Sequence, residues 1–153
     1  MEKLVFDSGV KEYRINGEGV LRFNPSDPNL YARFLDALDK VKALEQELIG
    51  KAQVLEASEN QEQNGAVVLR LMQDADRQIK RVLTEVFGAG NDFDQVLGGV
   101  NLLAVAGNGE RVITNFLAAL QPVMVAGAES YSKQQADAAV AQAKLNRAQR
   151  RAV

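Results

Sequence analysis

The chain has 153 residues, a formal net charge of -2, 46% hydrophobic and 25% charged residues, and no Cys, His or Trp. That length fits one domain with its own core, and the near-balanced charge supplies no global field toward nucleic acid or a membrane surface. Without Cys there is no disulfide or thiolate metal site, and without His the commonest general base and metal ligand are missing. The composition therefore points away from an enzyme and from a thiolate or imidazole metal site, and leaves oxygen ligands for a hard cation open.

The opening Met1-Glu2-Lys3-Leu4-Val5-Phe6 is too short and mixed for a signal peptide, and no run of about 18 apolar residues predicts a membrane span. A cytoplasmic protein is expected. Lys11-Glu12-Tyr13-Arg14-Ile15 alternates polar and apolar residues. Asn16-Gly17 follows as a turn that accepts positive φ, and Val20-Leu21-Arg22-Phe23 returns. The pattern predicts a β-hairpin within residues 3–24, with Leu4-Val5-Phe6 as an optional third strand. A lone hairpin is marginal, so it must lie on the helical body or on a partner.

Asp27 as N-cap and Pro28 at the first helical position open a helix over 28–57. Phe34, Val41, Leu48 and Leu55 recur at seven-residue spacing, an apolar seam joined by Leu30, Leu38 and Leu44. Gly50 is a possible break. Residues 57–64 carry no large apolar side chain and read as a polar connection. A second helix spans 65–87, with Val68, Leu71, Ala75, Ile79, Val82 and Val86 as its stripe. Asp74, Asp76, Arg77, Lys80, Arg81 and Glu85 fall mostly off that stripe, and Gly88 or Gly90 closes the helix. Two such helices with a short link predict an antiparallel pair.

Residues 91–97 read as a short capped helix stopped by Gly98-Gly99. Val100 to Ala106 is an apolar run that fits either a strand or a buried helix, the helical context favouring a short helix. A strongly apolar helix follows over 110–128, carrying Val112, Ile113, Phe116, Leu117, Leu120, Val123 and Met124, with Pro122 expected to kink or end it. Residues 129–153 predict a helical, partly flexible basic arm. The fold class is thus mainly α (α+β): one globular domain over 1–128 and the arm.

The candidate chemistry is thin. The carboxylate pairs Asp36/Asp39, Asp74/Asp76 and Asp92/Asp94 lie on helix faces or first turns, where charge solvates or caps. Gly107-Asn108-Gly109 lacks the third glycine of a dinucleotide fingerprint, with Val112 in its place, and no βαβ unit surrounds it. No acidic loop with a central glycine suits a hard cation. Lys144, Arg147 and Arg151 share a face, but four terminal cations without interleaved aromatics offer little to nucleic acid. What remains is surface: a hairpin edge, and the stripe Phe34, Leu38, Val41, Leu44 and Leu48, each equally satisfied by a partner or by packing within the chain.

Three stretches resemble a family of small proteins encoded in the tail modules of long-tailed phages and prophages of Gram-positive bacteria. They are Glu12-Tyr13-Arg14-Ile15-Asn16 running into Phe23-Asn24-Pro25-Ser26-Asp27-Pro28; Ala75-Asp76-Arg77-Gln78-Ile79 leading to Glu85-Val86-Phe87-Gly88; and Gly98-Gly99-Val100-Asn101-Leu102-Leu103 followed by Thr114-Asn115-Phe116-Leu117 and a Lys/Arg-ending helix. The resemblance implies a tail assembly chaperone of the host cytoplasm. Such a protein binds the tape measure protein, helps recruit tail tube protein and leaves before the virion is complete. It implies no catalytic residues, no cofactor, and neither nucleic acid nor membrane as partner; self-association stays open. On that reading Phe34, Leu38, Val41, Leu44 and Leu48 form the contact stripe, with Lys144, Arg147 and Arg151 as accessory contacts. The competing reading is a structural component of the mature tail or connector.

Overall fold

The computed structural model describes residues 1–57 and 61–151. In chain order they form β1 (Lys11–Ile15), β2 (Gly19–Phe23), α1 (Pro28–Glu56), α2 (Gln61–Phe87), α3 (Phe93–Val96) and α4 (Val112–Arg151). The mainly helical fold with one N-terminal hairpin is the one the sequence predicts.

The hairpin is antiparallel, with Tyr13 opposite Leu21 and Glu12 opposite Arg22. Its turn places Asn16 and Gly17 at φ 50° and 85°, the left-handed region that Asn and Gly tolerate best. Leu4-Val5-Phe6 does not join it: the sheet has two strands, and residues 1–10 are exposed. The hairpin is held to the body by a file of rings. Tyr13 stacks on Phe23 at 4.8 Å, Phe23 meets Phe87 edge-on at 5.0 Å, and Phe93 then links Phe87 to Phe116. Such pairs add to the area they bury, and the file joins β2, α2, α3 and α4 into one core.

Asp27 caps α1 by accepting the Asn29 amide at 2.9 Å, and Pro28 takes the first helical position. α1 and α2 run antiparallel: the Arg33 Nε donates to the Val86 carbonyl at 3.0 Å at one end, and Asn64 Nδ2 reaches the Leu55 carbonyl at 2.7 Å at the other. The expected polar connection is shorter than 57–64, because α2 already begins at Gln61; residues 58–60 lie outside the described residues. Gly50 does not break α1. A Cβ there would meet nothing within 4 Å, so Gly50→Ala should stabilise the protein by about 1 kcal/mol through helix propensity alone, read as a raised thermal midpoint. Gly88 closes α2 at φ 104°, its amide on the Thr84 carbonyl at 2.8 Å.

The run Val100–Ala106 is not the short helix favoured by context. It is a loop carrying an isolated bridge, Val105 to Arg111, with Leu102 and Leu103 plugged into the core. Long-range bonds hold it there. Asp76 Oδ1 accepts the Leu102 amide at 2.8 Å, and Lys80 Nζ donates to the Val100 carbonyl at 3.0 Å. Lys80 also bridges Asp76 at 2.8 Å and Asp94 at 2.6 Å. Asp76 and Lys80, expected off the apolar stripe, are therefore buried. Burial opposes the charge on Lys80, but its bonds to Asp76 and Asp94 outweigh it and hold the ammonium above the ordinary lysine range.

Pro122 neither ends nor divides α4, which runs unbroken from 112 to 151. Pro122 and Ala118 are both exposed, so the carbonyl that the proline leaves without an amide faces solvent and costs little. α4 touches the body most closely at Gly127, where a Cβ would fall 1.9 Å from the Pro25 carbonyl oxygen. The Tyr31 hydroxyl sits between the carbonyls of Pro25 and Met124. Burial, with Tyr13 nearby, pushes the Tyr31 phenol above the ordinary tyrosine range. The fold thus favours the protonated phenol, and this stability is fully present below the ordinary tyrosine pKa and lost as pH rises from there through the raised native value. Tyr31→Phe is expected to cost about 1 kcal/mol near neutrality and to flatten the alkaline limb of the stability curve, measured by urea unfolding across that range.

The accessible surface is 11041 Å², whereas a compact monomer of this mass exposes roughly 7,600 Å². Residues 1–10, and α4 beyond Tyr131, where every described side chain is exposed, contribute to that excess.

Candidate protein-docking surface

α4 is apolar around much of its circumference from Val112 to Ala128, yet it is covered along one line only. Ile113, Phe116, Leu120, Met124 and Gly127 are buried, at spacings of three and four. An apolar helix with one face packed leaves two greasy flanks. By length and composition α4 could cross a membrane, against the expectation that the chain holds no such segment. Only 28% of its most apolar 18-residue stretch is buried.

One flank faces α1 across an open groove of about 490 Å³. Tyr31, Phe34, Leu35 and Leu38 form one wall, and Leu117, Gln121, Met124 and Val125 the other, with no charged side chain among them. Leu35 is 62% exposed and Val125 50%. These are large apolar groups left in water side by side, the kind of feature that marks an interaction site. The second flank faces β1 across a groove of about 410 Å³ lined in part by Tyr13, Ile15, Phe116, Ala119 and Val123.

The structure divides the predicted contact stripe. Phe34 and Leu38 line the first groove, but Phe34, 8% exposed, is as buried as Leu48 and belongs to the core as well. Val41, 3% exposed, belongs to the core. Leu48 is buried too, and Leu44 packs beside it against Leu71 and Ala75 of α2. The seven-residue seam finds its partner inside the chain, so Val41 and Leu48 are corrected from contact surface to core, and Leu44 to its margin. A glutamate at Val41 would unfold the helix pair rather than report on a partner. Leu35, Leu117, Gln121 and Val125 were not singled out in the sequence. The available signal was the all-round apolarity of residues 112–128.

Two of the three carboxylate pairs have structural partners. Asp36 and Asp39 are exposed on α1. Asp74 pairs loosely with Arg77 at 3.8 Å, Asp92 caps α3 through the Asp94 amide, and Asp76 and Asp94 hold Lys80. Asn108, in the Gly107–Gly109 turn, exchanges hydrogen bonds with Asn115 at 2.9 and 3.2 Å and accepts the Glu110 amide. The turn is closed on itself instead of open to a phosphate. Among the described residues no acidic cluster is placed to hold a metal ion. Lys144, Arg147 and Arg151 are exposed and, among the described residues, form no ion pair.

Comparison of the chain with protein-family models, curated proteins and solved structures gives no match.

Proposed function

We propose that this protein is a tail assembly chaperone of a bacteriophage, and that it holds an apolar helix of the tape measure protein in the groove between α1 and α4. The observation that carries the reading is the uncovered flank of α4, facing Leu35 and Leu38 across an uncharged groove. Two long helices already frame that groove, so an apolar helix laid between them completes a three-helix layer, docking by anchors spaced three and four apart. The identity of the partner comes from the resemblance of the sequence to tail-module proteins. A holding role needs repeated apolar contacts and no reactive group. The cationic end of α4, with Lys144, Arg147 and Arg151 exposed, extends the contact toward acidic residues of the client or of tail tube protein. The complex forms in the host cytoplasm and is dissolved before the virion is finished.

Co-expression with the tape measure protein followed by affinity capture tests this. Leu35→Glu and Val125→Glu each place a charge where a mostly exposed side chain now sits, so helicity and thermal midpoint should stay at wild-type values. Capture should fall at least tenfold, since burying an unpaired carboxylate costs several kcal/mol. Full capture by both variants would remove the groove from the account.

A further inference from the structure

The hairpin has one closed edge and one open edge. On β2, Asn91 takes the place of a neighbouring strand: its Oδ1 accepts the Arg22 amide and its Nδ2 donates to the Arg22 carbonyl, both at 2.9 Å. Gly19, on the same strand, lies so close to the Val96 carbonyl that a Cβ would sit 2.0 Å from its oxygen. Because Arg22 turns both backbone groups toward Asn91, its opposite residue Glu12 turns its own outward on the other side. Arg14, two residues along, does the same. Among the described residues nothing pairs with that edge of β1.

The same chain carries a strand-like segment that is not used. Leu4 is 89% and Phe6 75% exposed. It does not turn back onto its own β1, because residues 7–9 are fixed beyond the hairpin. Asp7 Oδ1 accepts the Gly9 amide at 2.9 Å, and Asn24 Nδ2 donates to the Ser8 carbonyl at 3.1 Å. Gly9 stands at φ 75° with the Asn24 side chain where a Cβ would be.

We propose that residues 2–6 of one copy add as a third, parallel strand to the open edge of β1 in a second copy. The side chains fit that register. Glu2 falls opposite Lys11 and Lys3 opposite Glu12, so opposite charges meet. Leu4 and Phe6 fall opposite Tyr13 and Ile15, on the face that borders the groove between β1 and α4. The backbone bonds then run from the Glu12 and Arg14 amides to the Glu2 and Leu4 carbonyls, and from the Leu4 and Phe6 amides to the Glu12 and Arg14 carbonyls. The arm and the edge that receives it are different surfaces of the chain, so the contact is taken as heterologous, passing from copy to copy as a ring or an open series. This surface is separate from the groove between α1 and α4, and neither proposal depends on the other.

The native chain has no Cys, so the test is clean. The full-length Lys3→Cys/Glu12→Cys double variant, treated with a short bis-maleimide, should give a ladder of dimer, trimer and higher bands on a denaturing gel. Adding Phe6→Asp should abolish the ladder, and the otherwise unmodified Phe6→Asp protein should sediment as a monomer at concentrations where wild type does not. An internal cross-link only, a product that stops at the dimer, or a ladder indifferent to Phe6→Asp would each overturn the proposal.

Discussion

Lys80→Met is expected to lower the thermal midpoint by about 10 °C. Lys80 and Asp76 are both nearly enclosed, with 10% and 12% of their side chains exposed. Removing one partner leaves Asp76 buried without a counter-charge, and breaking such a pair costs about 3–5 kcal/mol, each kcal/mol being worth roughly 2–4 °C at this chain length. The loss should show on the loop as well as on the midpoint, because Lys80 also holds the Val100 carbonyl. Hydrogen exchange at Leu102 and Leu103 should rise with it. Asp76→Asn in the same chain should recover part of the loss, since the amide oxygen still accepts the Leu102 amide. Asp94→Asn should cost far less, because the Asp94 side chain is 72% exposed. The native pKa of Lys80 is raised, so its contribution is fully present below the ordinary lysine value and lost as pH climbs beyond it.

Gly127→Ala sets two opposing terms against each other, and they decide the sign of its effect on stability. Alanine within a helix gains about 1 kcal/mol over glycine. Against this, the new methyl would fall 1.9 Å from the Pro25 carbonyl oxygen and 2.6 Å from the Tyr31 hydroxyl. One obstacle is backbone and cannot swing aside, so α4 must lift. Overpacking of this kind costs about 1–3 kcal/mol or more, and with rigid backbone in the way the upper end applies, for a net loss of about 2 kcal/mol. Urea unfolding gives the number, and the contrast with Gly50→Ala, which meets open space, separates crowding from propensity. Because α4 forms one wall of the α1–α4 groove, Gly127→Ala should also weaken client capture beyond what its stability loss explains.

These two sites mark where the sequence was legible and where it was not. Local chemistry was readable: Asn16-Gly17 makes its turn, Asp27 and Pro28 start α1, and Gly88 ends α2, because each depends on one or two residues and the backbone between them. The antiparallel α1–α2 pair was readable for the same reason, its seams repeating over many turns. What escaped depends on contacts between distant residues. Val100–Ala106 is a loop because Asp76 and Lys80 of α2 reach out to bind it, which no periodicity within the run can reveal. Pro122 is tolerated because its side of α4 faces water, a fact of packing and not of propensity.

The lining of the proposed groove was only partly readable, and the missing part is instructive. Periodicity identifies an apolar seam but not what covers it. The seam of Val41 and Leu48 is covered by α2, while Phe34 and Leu38, on the same helix, reach the open groove. The stronger sign was α4 itself, a helix with more apolar circumference than a single core can cover.

The central claim is that the groove between α1 and α4 receives a partner helix. Site-specific photocrosslinking tests it most directly: a benzophenone side chain at Leu35, in the groove, or at Leu69, similarly exposed on α2, irradiated in cells that also make the tape measure protein. The expected result is a covalent adduct to the tape measure protein from position 35 and none from position 69. Equal adducts from both positions, or none from either while the two proteins still co-purify, would contradict it.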